Sequence, residues 1–253
     1  MSSRNFVKAA ITVLYSKTSN RILVGQKKIN SLYLSNSLGF PGAIVQPGSD
    51  DCFDYRRTNL DITLKNNIYK SDAYGRSIAA ARGLFMESGI LITTDDSSQK
   101  QKLVTINDEK ELESYRKKVE YSPSIFKDLF VSTTLDVRSF VPLTRLQLTT
   151  NNNISYDIEV FGLLVSDTVI GEKLTNNVGE FKWISADTIP KLKEIFSKKD
   201  GPSTNDFHLP LIQKVSNIDK LNNAENITFE NLVSRMNVAT KGGSHVQQKA
   251  AQF

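Results

Sequence analysis

Few side chains in this chain of 253 residues carry reactive chemistry, and their spacing removes several options at once. Cys52 is the only cysteine, so no internal disulfide can form, and nothing after it resembles a thiol-protease signature; it reads as a packed or loop cysteine. His208 and His245 lie too far apart for a zinc site of ordinary spacing. Cations are the more suggestive group. Residues 1–49 contain Arg4, Lys8, Lys17, Arg21, Lys27 and Lys28 and no acid, in a chain whose net charge is +5. Such a surplus steers phosphate groups of a nucleotide, coenzyme A or RNA. The competing reading is a solvated rim around early strands, because the lysines are scattered and not interleaved with aromatics.

The elements that must position these groups follow from local pattern. Ala9 to Tyr15 is apolar and β-branched, and Ile22-Leu23-Val24-Gly25 follows a polar turn, which predicts a hairpin. Phe40-Pro41-Gly42-Ala43 leads into Ile44-Val45, and Pro47-Gly48-Ser49-Asp50-Asp51 supplies turn chemistry. Residues 50–76 are mostly polar and read as an inserted loop or short helix outside the core. Ser77 to Glu87 predicts a helix that Ser77 caps, Ala79 to Ala81 favour and Gly89 stops. Asp108 and Glu111 form a capping box for a second, charged helix that Ser122-Pro123 ends, with Leu112, Tyr115 and Val119 at helical spacing.

Strands are expected at 136–148, 156–166 and 178–184, with Val160 to Val165 buried on both faces. Thr188 and Pro190 open a helix to Phe196, and two more helices follow at about 206–216 and 228–236. We expect one elaborated domain over 1–237 and a mobile tail over 238–253. A composition of 39% hydrophobic and 23% charged residues is ordinary for a globular protein. No run approaches the roughly 18 to 20 apolar residues that cross a bilayer, and no secretion signal opens the chain. The expectation is therefore a cytoplasmic protein, with mitochondria the alternative compartment and no membrane partner.

One segment joins these pieces. Arg82-Gly83-Leu84-Phe85-Met86-Glu87-Ser88-Gly89-Ile90 resembles the second half of the Nudix box, G-x5-E-x7-R-E-U-x-E-E-x-G-U, in its arginine, apolar, last glutamate, glycine and apolar positions. Ser35 to Gly42, the insertion inside the box, and Ile78 to Arg82 resemble the acyl-CoA diphosphatase branch, Nudix type 19. Phe140 to Thr149, Ser155 to Phe161 and Glu180 to Ile184 extend the resemblance over about 7–215. It implies a Nudix α/β/α sandwich with an insertion in the box and extra C-terminal helices.

The resemblance also implies a chemistry and shows where this chain departs from it. Nudix enzymes hold Mg²⁺ or Mn²⁺, hard ions that take oxygen ligands, and use them to neutralise a diphosphate and activate water. Glutamates at the sites of Gly83, Met86 and Glu87 would converge on one helix face, yet only Glu87 is an acid. A glycine and a thioether cannot replace hard ligands. The second box glycine falls on Ala43, and the earlier glutamate, counted forward, on Ser49. The site residues implied are Glu87, Arg82 and Glu180 as catalytic, Glu87 also as metal ligand, and Lys27, Lys28 and Gly42 toward a nucleotide or CoA-like ligand. Asp50, Asp51, Asp54 and Asp72 in the insertion, and Glu180, are the acids able to compensate; otherwise the insertion acids are a solvated loop, Glu180 pairs with a neighbouring lysine, and Glu87 pairs with Arg82 on the helix. Trp183 reads as a core residue.

Three functions compete on this reading. The favoured one is a degenerate Nudix scaffold, weakly active or inactive, that binds a ligand or a protein or RNA partner. The second is an active Mg- or Mn-dependent hydrolase of nucleoside diphosphate-linked substrates such as CoA or acyl-CoA. The third, an RNA-associated component, draws on the basic 1–49 region but lacks an RNA-recognition motif.

Overall fold

The computed structural model describes residues 6–16, 18–26, 37–60, 72–94, 100–149, 154–165, 181–185 and 203–204. The strand β1 (Val7–Ser16) is apolar along most of its length and pairs in parallel with β9 (Ser155–Val165) from Val7↔Tyr156 to Ser16↔Val165. Both are buried almost throughout, as a central pair covered on two faces must be. β1 turns into β2 (Arg21–Gln26) as the predicted hairpin, with Tyr15 opposite Ile22. Asn20 takes a positive φ of 50° in the turn, a conformation asparagine tolerates.

The remaining strands extend this sheet. Among the described residues its path runs β11 (Ser203–Thr204), β3 (Ser37–Gly39), β2, β1, β9, β8 (Val141–Thr149), while β10 (Phe181–Ser185) pairs with β2 and β4 (Gly42–Ile44) with β1. A smaller sheet joins β6 (Gln101–Val104), β5 (Leu91–Thr94) and β7 (Thr134–Leu135). The α/β class expected from the sequence is therefore present. The third expected strand occupies 181–185, and residues 136–140 precede β8 as a turn rather than belonging to it.

Helix α1 (Asp72–Ser88) lies on the sheet face formed by Ala10, Leu14, Phe161 and Leu163. Its Ala79-Ala80-Ala81 run brings the two backbones close enough for the Thr12 hydroxyl to donate to Ala80 O at 3.2 Å. The helix starts five residues before the expected Ser77 cap. Ser77 is buried mid-helix and donates to Tyr74 O, and Asp72 is the acid in the first turn. At the other end Gly89 has φ 74° and donates to Phe85 O at 2.7 Å, the left-handed glycine stop expected from the sequence.

Helix α2 (Glu109–Tyr121) begins where Asp108 accepts from the Glu111 N–H and ends at Ser122 before Pro123, as expected. A 3₁₀ segment, Pro123–Phe130, then inserts Phe126 and Phe130 into the core beside Phe85 and Phe53. Phe53 corrects the expectation that 50–76 lies outside the core. At the described ends of that stretch Phe53 is buried, Thr58 bridges to Leu135, Asn59 donates to Asp136, and Tyr74 donates to Phe53 O. Apolar residues sparsely spaced in a polar stretch can still anchor it when the rest of the core leaves an aromatic-sized gap.

The helices expected at 188–196, 206–216 and 228–236 and the tail from 238 lie outside the described residues. Among the described residues no helix is long and apolar enough to cross a membrane.

Candidate functional site

The last two turns of α1 pack directly on the Phe40 to Asp50 turn. At Gly83 an added Cβ would stand 2.3 Å from Gly42 C and 2.6 Å from Ala43 N, so the glycine exists because two backbones touch there. That contact brings Glu87, one turn on, within reach of the turn, and its Oε2 accepts the Gly42 N–H at 2.9 Å. Gly42, which the sequence placed with Lys27 and Lys28 on the ligand side, is here a backbone donor to Glu87.

Arg82 does not pair with Glu87. Its Nε and Nη2 each donate at 2.8 Å to the two carboxylate oxygens of Asp50, Nη2 also donates to Ile44 O at 2.7 Å, and Nη1 faces Met86 Sδ at 3.3 Å. Asp50 is buried and its Oδ2 accepts the Gln46 N–H at 2.7 Å, in a turn that Gly48 shapes with φ 78°. The acid that reaches Arg82 is therefore Asp50, one place beyond the Ser49 reached by counting, and it is neither solvated nor a loop charge. A turn of flexible length can shift the acceptor by one residue in a way that spacing alone does not reveal.

Arg116 of α2 closes the site from the other side. It is buried, donates Nε–H to Met86 O at 2.6 Å and Nη2–H to Glu87 O at 3.3 Å, and pairs with Glu113 at 3.0 Å. It thereby satisfies carbonyls of the last turn of α1, which has no basic residue of its own. Burial draws the pKa of Arg116 below its ordinary value, against the opposing charges of Glu113 and Glu87. A guanidinium remains charged even so.

Among the described residues, the acids able to complement Glu87 are committed elsewhere. Asp51 accepts the Gly48 N–H, Asp54 binds Arg56, and Asp72 binds Lys8 at 2.7 Å and Arg76 at 2.8 Å. The side-chain hydrogen bond from Arg56 holds Asp54 below the usual carboxylate range. Among the described residues no three His, Cys, Asp or Glu side chains come together in a way that would hold a metal ion. Glu180, Lys27 and Lys28 lie outside the described residues. Trp183 packs half-buried against the core, as expected.

A second polar cluster, not singled out from the sequence, lies under the first half of α1. Arg76 is fully buried and binds Asp157, which Arg145 also clamps, and Glu159 lies beside them. The signal was available: Asp157 and Glu159 alternate with Tyr156, Ile158 and Val160 in a strand otherwise apolar, so they face one side and need cations there.

No protein-family model matches the chain, and no curated protein does. Solved structures do. A NUDIX hydrolase from Alicyclobacillus acidocaldarius aligns with 84% of this chain and 91% of its own at TM-score 0.59 and 15% identity. NUDIX hydrolases from Nitrosomonas europaea and Clostridium perfringens align with 83% and 85% of this chain, 88% and 98% of their own, at TM-scores of 0.38 and 0.39 and identities of 12% and 11%, too poor a superposition to inform the fold. The likeness to the Alicyclobacillus protein shows that this chain has the mixed α/β fold of Nudix hydrolases.

Proposed function

We propose that this chain is a degenerate Nudix scaffold that binds a nucleotide or CoA-like ligand, in the cytoplasm, without metal-dependent hydrolysis of it. The observation that carries this reading is the state of Glu87. It is the single carboxylate on the box face, its Oε2 is taken by the Gly42 N–H, and Gly83 one turn earlier has no room for a side chain. A hard divalent ion needs several oxygen ligands, so the residues described here do not fit Mg²⁺ or Mn²⁺. Glu87 instead fastens the Phe-Pro-Gly turn to α1, and Arg82 fastens the following turn through Asp50. Two fixed turns beside a helix end make a preorganised wall for a ligand, and the basic surplus of residues 1–49 favours an anionic one.

Titration calorimetry of Mg²⁺ and Mn²⁺, alone and with CoA or ADP-ribose, tests the proposal. Heat from CoA or ADP-ribose in chelator, with none from the metals, is expected. Metal-dependent turnover of either compound on the order of 1 per second overturns it, and would mean that acids such as Glu180 complete the ligand set.

A further inference from the structure

Helix α1 and the β8–β9 pair enclose charges that do not match one to one. From α1 come Asp72 and Arg76, from β8 Arg145, and from β9 Asp157 and Glu159; Lys8 of β1 reaches the rim through Asp72. Arg76 donates Nε–H to Asp72 and Nη2–H to Asp157 at 2.6 Å, and its Nη1 serves the carbonyls of Ala9 and Asp157. Arg145 grips both carboxylate oxygens of Asp157. Glu159 is left out. It is 3% exposed and its Oε2 is buried with no hydrogen-bond partner among the described residues. Yet it sits directly across from Arg145 in the β8–β9 register and two residues from Asp157 on the same strand face, while its neighbour on β1, Ala10, carries no charge.

We propose that Glu159 is a proton-operated switch on the anchoring of α1 to the sheet. Protonated, it leaves both guanidinium groups to Asp157. Ionised, it competes with Asp157 for its cross-strand partner Arg145 and loosens the contact that holds the first half of α1 down.

The physical basis is that a buried carboxyl without a donor is cheaper neutral than charged. Burial raises Glu159 from 4.5 to about 7; Arg76 and Arg145 oppose the rise, and Asp157 and Asp72 add to it. Asp157 is also raised by burial, but the hydrogen bond from Arg145 and the charge of Arg76 outweigh that and hold it low. Of the two carboxyls, Glu159 is therefore the one that holds a proton below about pH 7. A folded-state value above the unfolded one means that the stabilisation is fully present below about 4.5 and is lost as pH rises through about 7.

The test follows the Glu159 carboxyl carbon by NMR in the full chain and measures urea unfolding over the same pH range for the parent and Glu159→Gln. The expected midpoint is near 7, and the parent's unfolding constant should climb by up to about tenfold per pH unit below that midpoint and level off above it. Glu159→Gln should show no such climb. Amide exchange of residues 73–80 in the parent should quicken with the Glu159 midpoint. A midpoint in the ordinary carboxylate range, an identical pH profile for Glu159→Gln, or exchange that ignores the titration each overturns the switch. If Glu159→Gln fails to fold, the parent's titration and exchange decide alone.

Discussion

Arg82 and Asp50 form a two-pronged ion pair at 2.8 Å with side chains only 3% and 1% exposed, joining α1 to the turn that precedes the first aromatic anchor, Phe53. Removing one partner of such a pair strands the other in a low-dielectric interior. Asp50→Ala is expected to cost about 3 to 5 kcal/mol, because Arg82 then stays buried and uncompensated. Urea unfolding checks it, with Arg82→Met in the Asp50→Ala background recovering part of the loss. A cost below about 1 kcal/mol, the range of exposed pairs, would mean that water reaches the guanidinium.

Gly83 sets a limit on redesign. Replacing it with glutamate alongside Met86→Glu looks from the sequence like a way to rebuild a metal site, but the first added carbon would meet Gly42 C at 2.3 Å. Gly83→Ala alone is expected to destabilise by about 1 to 3 kcal/mol net of its helix-propensity gain of about 1 kcal/mol. Thermal and urea unfolding of Gly83→Ala measure this, and a variant as stable as the parent would show that the backbone contact yields easily.

Glu87 is half-buried and hydrogen-bonded to Gly42 N–H rather than solvated or paired with Arg82. Glu87→Ala is therefore expected to cost about 1 to 2 kcal/mol, more than an exposed charge pair, and Glu87→Gln, which keeps an acceptor, distinctly less. Equal costs for the two would assign the loss to charge rather than to the hydrogen bond.

Phe53 meets Phe130 edge-on at 5.9 Å and Phe126 at 6.0 Å. Phe53→Ala should cost about 3 to 5 kcal/mol, the scale of a deleted buried ring. Loss of less than about 1 kcal/mol in denaturant unfolding would return the first part of 50–76 to the periphery.

Acid should unfold the protein partly through Asp157. Its folded-state pKa is lowered, so its contribution is present above the ordinary value of 3.8 and disappears as pH falls through the lowered one. Asp157→Asn should flatten that acid limb while lowering stability at neutral pH, because two guanidinium groups lose their shared acceptor. An unchanged acid limb in circular-dichroism titration would exclude Asp157 as its source.

Some of this was written in the chain itself. The hairpin of β1 and β2, the doubly buried β9, the Asp108 cap and the Gly89 stop each depend on residues near in sequence, where apolar periodicity and backbone preference decide the outcome. That Gly83 and Met86 offer no oxygen ligand follows likewise from their residue types, whatever surrounds them. Tertiary structure decided who partners whom. Arg82 takes Asp50 from 32 residues away, Glu87 takes a backbone N–H from 45 away, and Arg76 takes Asp157 from 81 away. Such choices depend on which turn reaches which helix face and on how much water is excluded there. Burial likewise separates Asp157 from Glu159, two carboxylates of one strand: the first is given two arginines and stays charged, while the second, denied a donor for its buried oxygen, holds its proton to about 7.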